Sequence, residues 1–419
     1  MRHGSTSQPH RILIIRLSSI GDCVLASPVV EALRERYPDA EITWAVQAKS
    51  ASVVQGLPGL ADILLWDDSR TRWPSLAKAL WRTRFAGFDV ALDLQGISKA
   101  GLFLGASRAA RRVSGESARR ISRWSSTEQV PEPEALHARL AYLRRASGLD
   151  IAPDAVERFF PRVPVTAIHR RFADEFLGRA GINSRHKLVG INLGAAHAIK
   201  RWAPERFAQV VDTLLREDAA TRVVVFGAPA DAPLFEQFET ELAAIEAAKG
   251  VLASTRVEVD ALVNGVRLGR NSGSASSVVD AGHEAVRPGG AWRGRVLAAV
   301  GRINLLQVAA VGERCCVVVT ADTGPMHIMA AVGAPIVALF GPTSVERTGP
   351  VQKPDGQPIR VLDASDLTGL VRAPMNALEV PMVLDEVRAM LNRKVPVPVN
   401  GAMQTHANGH VSGHGHVVL

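Results

Sequence analysis

Asp22 closes the run Arg11-Ile-Leu-Ile-Ile-Arg-Leu-Ser-Ser-Ile-Gly-Asp22, an apolar strand followed by a Ser/Gly loop, and stands at the head of the helix that begins Cys23-Val-Leu-Ala-Ser-Pro. A carboxylate at a helix N-terminus is stabilised in its charged form. Asp22 is therefore expected to be ionised at neutral pH, as a general base or orienting group requires, although an N-cap role fits the same position. A second loop, Asp322-Thr323-Gly324, lies between a buried β-branched strand starting at Val317 and a helix opened by Pro325. Proline at the first helical position removes only a donor the helix leaves unpaired, and Gly324 lets the backbone approach a ligand closely. The free N–H groups and positive dipole end of that helix, beside the Thr323 hydroxyl and with His327 one turn in, make an anion site suited to a diphosphate. Two such loops at the carboxyl ends of strands point to one shared cleft.

Lys200 follows a further strand, in the segment from Gly194 to Trp202. As a cation after a strand it fits a partner for charge building on a leaving diphosphate, or a solvated surface lysine. Asp322 fits a cap of its own turn. Asp231, after Gly227-Ala-Pro-Ala, lies where a carboxylate meets ribose hydroxyls, and His197 either faces a ligand or faces solvent.

The segments Arg16-Leu-Ser-Ser-Ile-Gly-Asp22, Asp93-Leu-Gln-Gly96, Gly194 through Lys200-Arg-Trp202, Ala321-Asp-Thr-Gly-Pro-Met-His327 and Phe340-Gly-Pro-Thr-Ser-Val-Glu-Arg-Thr-Gly-Pro350 occur in this order. Together they resemble glycosyltransferase family 9, the ADP-heptose:lipopolysaccharide heptosyltransferases. The resemblance implies an α/β fold of the GT-B type, with two Rossmann-like domains facing a cleft. It implies direct, inverting, metal-independent transfer of a heptose from ADP-heptose to a lipopolysaccharide inner-core acceptor, without a cofactor. Asp22 would take the acceptor proton, and Lys200 would face the leaving diphosphate. Gly194, Ala195, Ala196, Asp231, Asp322, Thr323, Gly324 and His327 would hold the nucleotide-sugar, and Ser18, Ser19, Arg111, Arg112, Arg119 and Arg120 the acceptor. Ala195 and Ala196 replace hydroxyl residues that some heptosyltransferases set against the phosphates, which removes hydrogen bonds of about 1 kcal/mol each. A relative using another nucleotide-sugar and a nucleotide-sugar epimerase on the same fold stay as alternatives. A dinucleotide dehydrogenase does not, because Leu17-Ser-Ser-Ile-Gly is not G-x-G-x-x-G.

The elements that must position these residues alternate. Strands are expected at Arg11–Ile15, Glu41–Val46, Ile63–Leu65 and Asp89–Leu92, with helices near Val24–Arg36 and Ser75–Arg84, the pattern of a parallel sheet with crossover helices. Pro153, Pro161 and Pro164 mark a linker. A second alternation follows: helix Ala167–Ala180, strand Leu188–Asn192, helix Pro204–Arg216, strand Arg222–Phe226, helix Pro233–Ala248, and the strands starting at Val317 and spanning Ile336–Phe340. This divides the chain into an acceptor domain at 1–160 and a nucleotide-sugar domain at 161–382. Within the second, 250–295 reads as a flexible insertion, its centre Asn271-Ser-Gly-Ser-Ala-Ser-Ser277. The resemblance implies a C-terminal helix at 383–395 packing back on the first domain, and 396–419 reads as a disordered, His-bearing tail.

Between Arg70 and Arg123 stand twelve Lys or Arg against Asp89, Asp93 and Glu116, a surplus of nine that accounts for the whole chain's net +8. In the light of the resemblance this window fits an anionic acceptor and transient attraction to the cytoplasmic membrane surface. Nucleic acid is not expected as a partner, because the window reads as lacking the interleaved aromatics that stack bases and no recognised nucleic-acid module is present. The run before Arg16 is a short strand core and not a signal-peptide segment, and no apolar stretch reaches the length of a membrane span, so a cytoplasmic enzyme is expected. Three cysteines cannot form a disulfide framework or a four-ligand zinc site.

Overall fold

Strands of three to seven residues, most of them apolar runs, alternate with helices and form two parallel sheets. The computed structural model describes residues 8–68, 72–133, 136–152, 154–263 and 292–393. The first sheet is built from β1 (Arg11–Ile15), β2 (Glu41–Gln47), β3 (Asp62–Trp66), β4 (Val90–Asp93), β5 (Arg111–Gly115) and β6 (Glu128–Val130). The second has β7 (Lys187–Asn192), β8 (Thr221–Phe226), β9 (Val296–Ala298), β10 (Val317–Ala321), β11 (Ile336–Phe340) and β12 (Ile359–Asp363). The orders are β3-β2-β1-β4-β5-β6 and β12-β11-β10-β7-β8-β9. Counted from its own first strand, the second sheet repeats the winding of the first from the opposite edge.

Both sheets reverse direction at their first strand. β1 lies between β2 and β4, with Ile12 opposite Ile42 and Val90. β7 lies between β8 and β10, with Val189 opposite Val223 and Val317. Such switch points leave a crevice at the carboxyl ends of the strands, and there the loops carrying Asp22 and Thr323 sit. Successive β1 residues point to opposite faces, so Ile12 and Ile14 join one core and Leu13 and Ile15 another. The core containing Ile12 and Ile14 also takes in Ala309, Ile328 and Ala331 from the second half, so the two halves share buried apolar surface.

Several expectations need correction. The helix expected over Val24–Arg36 is two helices, Ile20–Ala26 and Pro28–Arg36, because Pro28 has no N–H to continue the ladder and the Ser27 hydroxyl instead donates to Val24 O at 2.7 Å. The C-terminal helix, Val380–Leu391, does not pack back on the first domain. Val383, Leu384, Val387 and Met390 form a stripe buried in the second-domain core beside Trp202 and Phe207, and Arg388 pairs with Glu217 at 2.5 Å. The helix expected to end near Ala248 runs on to Val263, so the start of the 250–295 segment is regular. Asn271–Ser277 and the tail at 396–419 lie outside the described residues. Among the described residues no helix is long and apolar enough to cross a membrane.

Candidate active site

The helices Ile20–Ala26 and Gly324–Ala331 meet head to head at the cleft floor. A Cβ added to Gly21 would lie 2.6 Å from His327 Cδ2, and one added to Gly324 would lie 2.9 Å from Ile20 Cγ2. Only glycine at both positions allows this approach, which brings two positive helix ends together across the domain boundary.

Asp22 stands in the first turn of its helix with the side chain 29 % exposed. Its Oδ2 pairs with Arg16 Nη2 at 2.6 Å and accepts from Ser19 Oγ at 2.8 Å, and its Oδ1 accepts from Tyr142 Oη at 2.7 Å. Burial is the largest influence on this carboxyl and would raise it, but Arg16, Tyr142 and Ser19 together hold it below the ordinary carboxylate value. Asp22 is therefore a fixed anion at neutral pH. Arg16 is held in turn by the Leu94 carbonyl at 3.3 Å and by the Tyr142 ring, whose centroid is 4.9 Å from its guanidinium carbon. Cys23, the next residue, is inert, since burial pushes its thiol up to about 12.

On the opposite wall, Lys200 Nζ pairs with Asp322 Oδ2 at 2.7 Å. Thr323 is the N-cap of the Gly324–Ala331 helix and accepts weakly from Met326 N at 3.4 Å. Asn192, at the end of β7, donates to Thr320 Oγ1 at 3.0 Å, to Gly194 O at 3.2 Å and to Thr323 Oγ1 at 3.3 Å, tying the Gly194 loop to the Thr323 loop. His327 is buried, with Nε2 3.8 Å from Asp322 Oδ1 and Nδ1 unpartnered. Burial drives its imidazole down to about 4 against the opposing pull of Asp322 and Asp22, so it is neutral at pH 7.

The other expected positions divide. Gly194 and Ala195 are buried, and Ala196 and His197 are exposed beside Lys200. Asp231 is turned away from solvent: its Oδ2 accepts from Ala228 N at 2.8 Å, and the carboxylate presses on Gly194, where an added Cβ would lie 2.1 Å from it. Ser18 is fixed by Gln95 Nε2, which donates to its carbonyl at 3.1 Å. Arg111 is bidentate to Glu128 of the neighbouring strand, at 2.9 and 3.0 Å, and Arg112 Nε donates to Ser125 O at 2.6 Å. Both therefore already have partners, Arg111 on the neighbouring strand and Arg112 at the end of the helix Arg120–Ser125. Arg119 and Arg120 are exposed, Arg120 lying 4.0 Å over the Trp124 ring. Sequence reasoning passed over Arg16 and Tyr142. Arg16 gave a signal, a charge at the end of a buried strand; Tyr142 gave none.

A doubled parallel α/β fold with a base-like carboxylate facing a lysine and a helix N-terminus defines a class of group-transferring enzymes. The model of glycosyltransferase family 9 (heptosyltransferase) matches residues 73–267 and 290–361, and the chain belongs to that family; it is a glycosyltransferase. It is 22% identical over 352 residues to the lipopolysaccharide core heptosyltransferase OpsX of Haemophilus influenzae, covering 84% of each chain. Its fold is similar to the family 9 glycosyl transferase of Veillonella parvula, with TM-score 0.67, 20% identity and coverage of 91% of this chain and 97% of the other. It is also similar to the E. coli ADP-heptose lps heptosyltransferase II, with TM-score 0.65, 19% identity and coverage of 91% and 98%.

Proposed function

We propose that the enzyme transfers a heptose from ADP-heptose to an inner-core acceptor of lipopolysaccharide, with inversion and without a metal. The observation that carries this reading is the meeting of Gly21 and Gly324, which sets Asp22 against the Lys200–Asp322 pair and the Thr323-capped helix. Family membership and the likeness to OpsX support the donor and acceptor classes.

In the proposed step Asp22 takes the proton of an acceptor hydroxyl as that oxygen bonds to the anomeric carbon. The bond from that carbon to the diphosphate breaks on the opposite face, and its electron pair leaves with ADP. Negative charge on the diphosphate grows, and the N–H groups at Gly324–His327 and the Lys200 ammonium meet it. Lys200 also neutralises Asp322, which otherwise would repel the diphosphate. Neutral His327 presents no charge of its own and shapes the floor. Arg111 and Arg112 leave the acceptor role through their contacts with Glu128 and with Ser125, and Ser18, Ser19, Arg119 and Arg120 keep it. Asp231 shapes the Gly194 loop and does not reach for ribose. The enzyme acts in the cytoplasm, at the inner face of the membrane carrying its acceptor.

The test is to incubate the protein with ADP-heptose and a heptose-free core acceptor, follow ADP release, and assign the new linkage by NMR. A screen of nucleotide-sugars for thermal stabilisation accompanies it, since a ligand at 100 times its Kd adds about 2.7 kcal/mol. Stabilisation by UDP- or GDP-sugars and not by ADP-sugars would refute the donor, and retention of anomeric configuration would refute the mechanism.

A further inference from the structure

The first domain turns large apolar side chains to solvent on one layer of helices. The helices Arg72–Phe85, Ser98–Ser107 and Arg120–Ser125 lie side by side on the face of the first sheet that buries Leu13 and Ile15, anchored there by Leu76, Ala79, Phe103 and Leu104. The second and third pack closely: a Cβ added to Gly101 would lie 2.5 Å from Ser122 N, and one added to Gly105 3.0 Å from Ser125 Oγ. On the outer side Trp73 is 79 % exposed, Trp81 64 %, Phe85 66 % and Trp124 70 %, with Leu102 and Ile121 also exposed. Trp73, Trp81 and Phe85 fall on one four-residue spacing, so they share a stripe on the helix side opposite the buried Leu76 and Ala79. Contiguous exposed apolar surface of this kind marks an interaction site.

The same layer carries exposed cations. Lys78, Arg82, Lys99, Arg108, Arg119 and Arg123 are exposed, and among the described residues none is ion-paired. The expectation that this window lacks interleaved aromatics is wrong: Trp73, Trp81, Phe85 and Trp124 stand exposed among its cations. Tryptophan prefers the boundary between headgroups and acyl chains, and flanking Lys and Arg add attraction to anionic lipid.

We propose that this three-helix layer is a membrane-docking face, on which Trp73, Trp81, Phe85 and Trp124 enter the interfacial layer of an anionic bilayer while the cations engage lipid phosphates. Its purpose rests on the lipid-borne acceptor proposed above; the surface itself is read from the side chains. A protein partner would seldom tolerate so many unpaired like charges around its apolar contact, whereas an anionic bilayer matches both features.

The experiment is flotation of the full-length protein with phosphatidylcholine vesicles, with and without phosphatidylglycerol, at low and high salt. The variants are Trp73→Ala/Trp81→Ala/Trp124→Ala and Lys78→Glu/Arg82→Glu/Arg123→Glu, each checked for an unchanged melting temperature. Binding of wild type to phosphatidylglycerol vesicles, a loss of about tenfold or more in partitioning in the aromatic variant, and loss of the salt-sensitive part in the charge variant are expected. Transfer to a water-soluble, deacylated acceptor should stay within about twofold of wild type in both variants. Wild-type protein that ignores the vesicles, aromatic variants that bind them equally well, or a face that instead captures single-stranded oligonucleotides overturns the proposal. Vesicle binding in a protein that transfers no heptose upholds the docking face and refutes the proposed function alone.

Discussion

Tyr142 donates its phenolic hydrogen to Asp22 Oδ1 at 2.7 Å from a helix far along the chain. Burial raises the phenol well above its ordinary value, so it stays a donor at every working pH. Asp22→Asn keeps the shape and removes the basicity, and should lower turnover by about 10²–10⁴-fold with nucleotide binding nearly unchanged. Tyr142→Phe takes away one of the hydrogen bonds that hold Asp22 low. Its carboxyl then rises, and the acidic limb of the kcat/KM profile, which needs Asp22 ionised, should move to higher pH. An unmoved limb would show that the limb does not report Asp22.

Lys200 is paired with Asp322 before any donor arrives. Lys200→Ala should therefore damage turnover in two ways, by removing a cation from the diphosphate and by leaving the buried Asp322 charge unpaired. Treatment of wild type with EDTA should cost less than this substitution. Loss of wild-type activity in EDTA, restored by Mg²⁺, would contradict metal independence.

His327 is the pH-sensitive group of the floor. Its folded value of about 4 lies below its ordinary 6.5, so between those limits the unfolded chain binds a proton that the folded chain excludes. Stability should fall as pH drops through that window, by an amount on the order of 3 kcal/mol, and be insensitive to His327 above it. Denaturant midpoints of wild type and His327→Gln across this range are the check. The variant should show the flatter dependence, and parallel curves would contradict the assignment.

Gly21→Ala puts a methyl group 2.6 Å from Cδ2 of the buried His327, so the floor must shift to admit it. A cost of about 1–3 kcal/mol is expected, together with a fall in kcat/KM. Gly178→Ala is the matched control, since its added methyl meets nothing within 4 Å in a helix, and it should stabilise by about 0.5–1 kcal/mol. Equal effects from the two substitutions would remove the case for a forced approach at Gly21.

The elements legible in the sequence are those whose apolar runs decide their own state. Val317–Ala321 and Ile336–Phe340 are buried along their whole length and were readable as strands. β5 and β6 were not: Arg111 and Arg112 read as acceptor-binding charge, and what makes them strand residues is the parallel pairing of Arg111 and Arg112 with Val90 and Ala91 of β4 and of Val113 with Glu128 of β6, a tertiary fact. The site divides the same way. Asp22 and Thr323 announce themselves by local position at helix starts. Tyr142 belongs to a helix with no distinctive spacing, and only packing brings it to Asp22. The Asp231 position was legible but its direction was not, because the Ala228 N–H that draws it inward depends on the course of the loop.

Ile328 and Ala331 project from a second-domain helix into the first-domain core, and Val165 of the connecting segment packs against cores on both sides. Arg162 N in that segment donates to Ser27 Oγ at 2.8 Å. A protease nick between 159 and 166 should thus leave the fragments associated, and either half expressed by itself would present a sticky apolar scar. The boundary that divides the molecule into two domains by topology is not a line along which it can be cut.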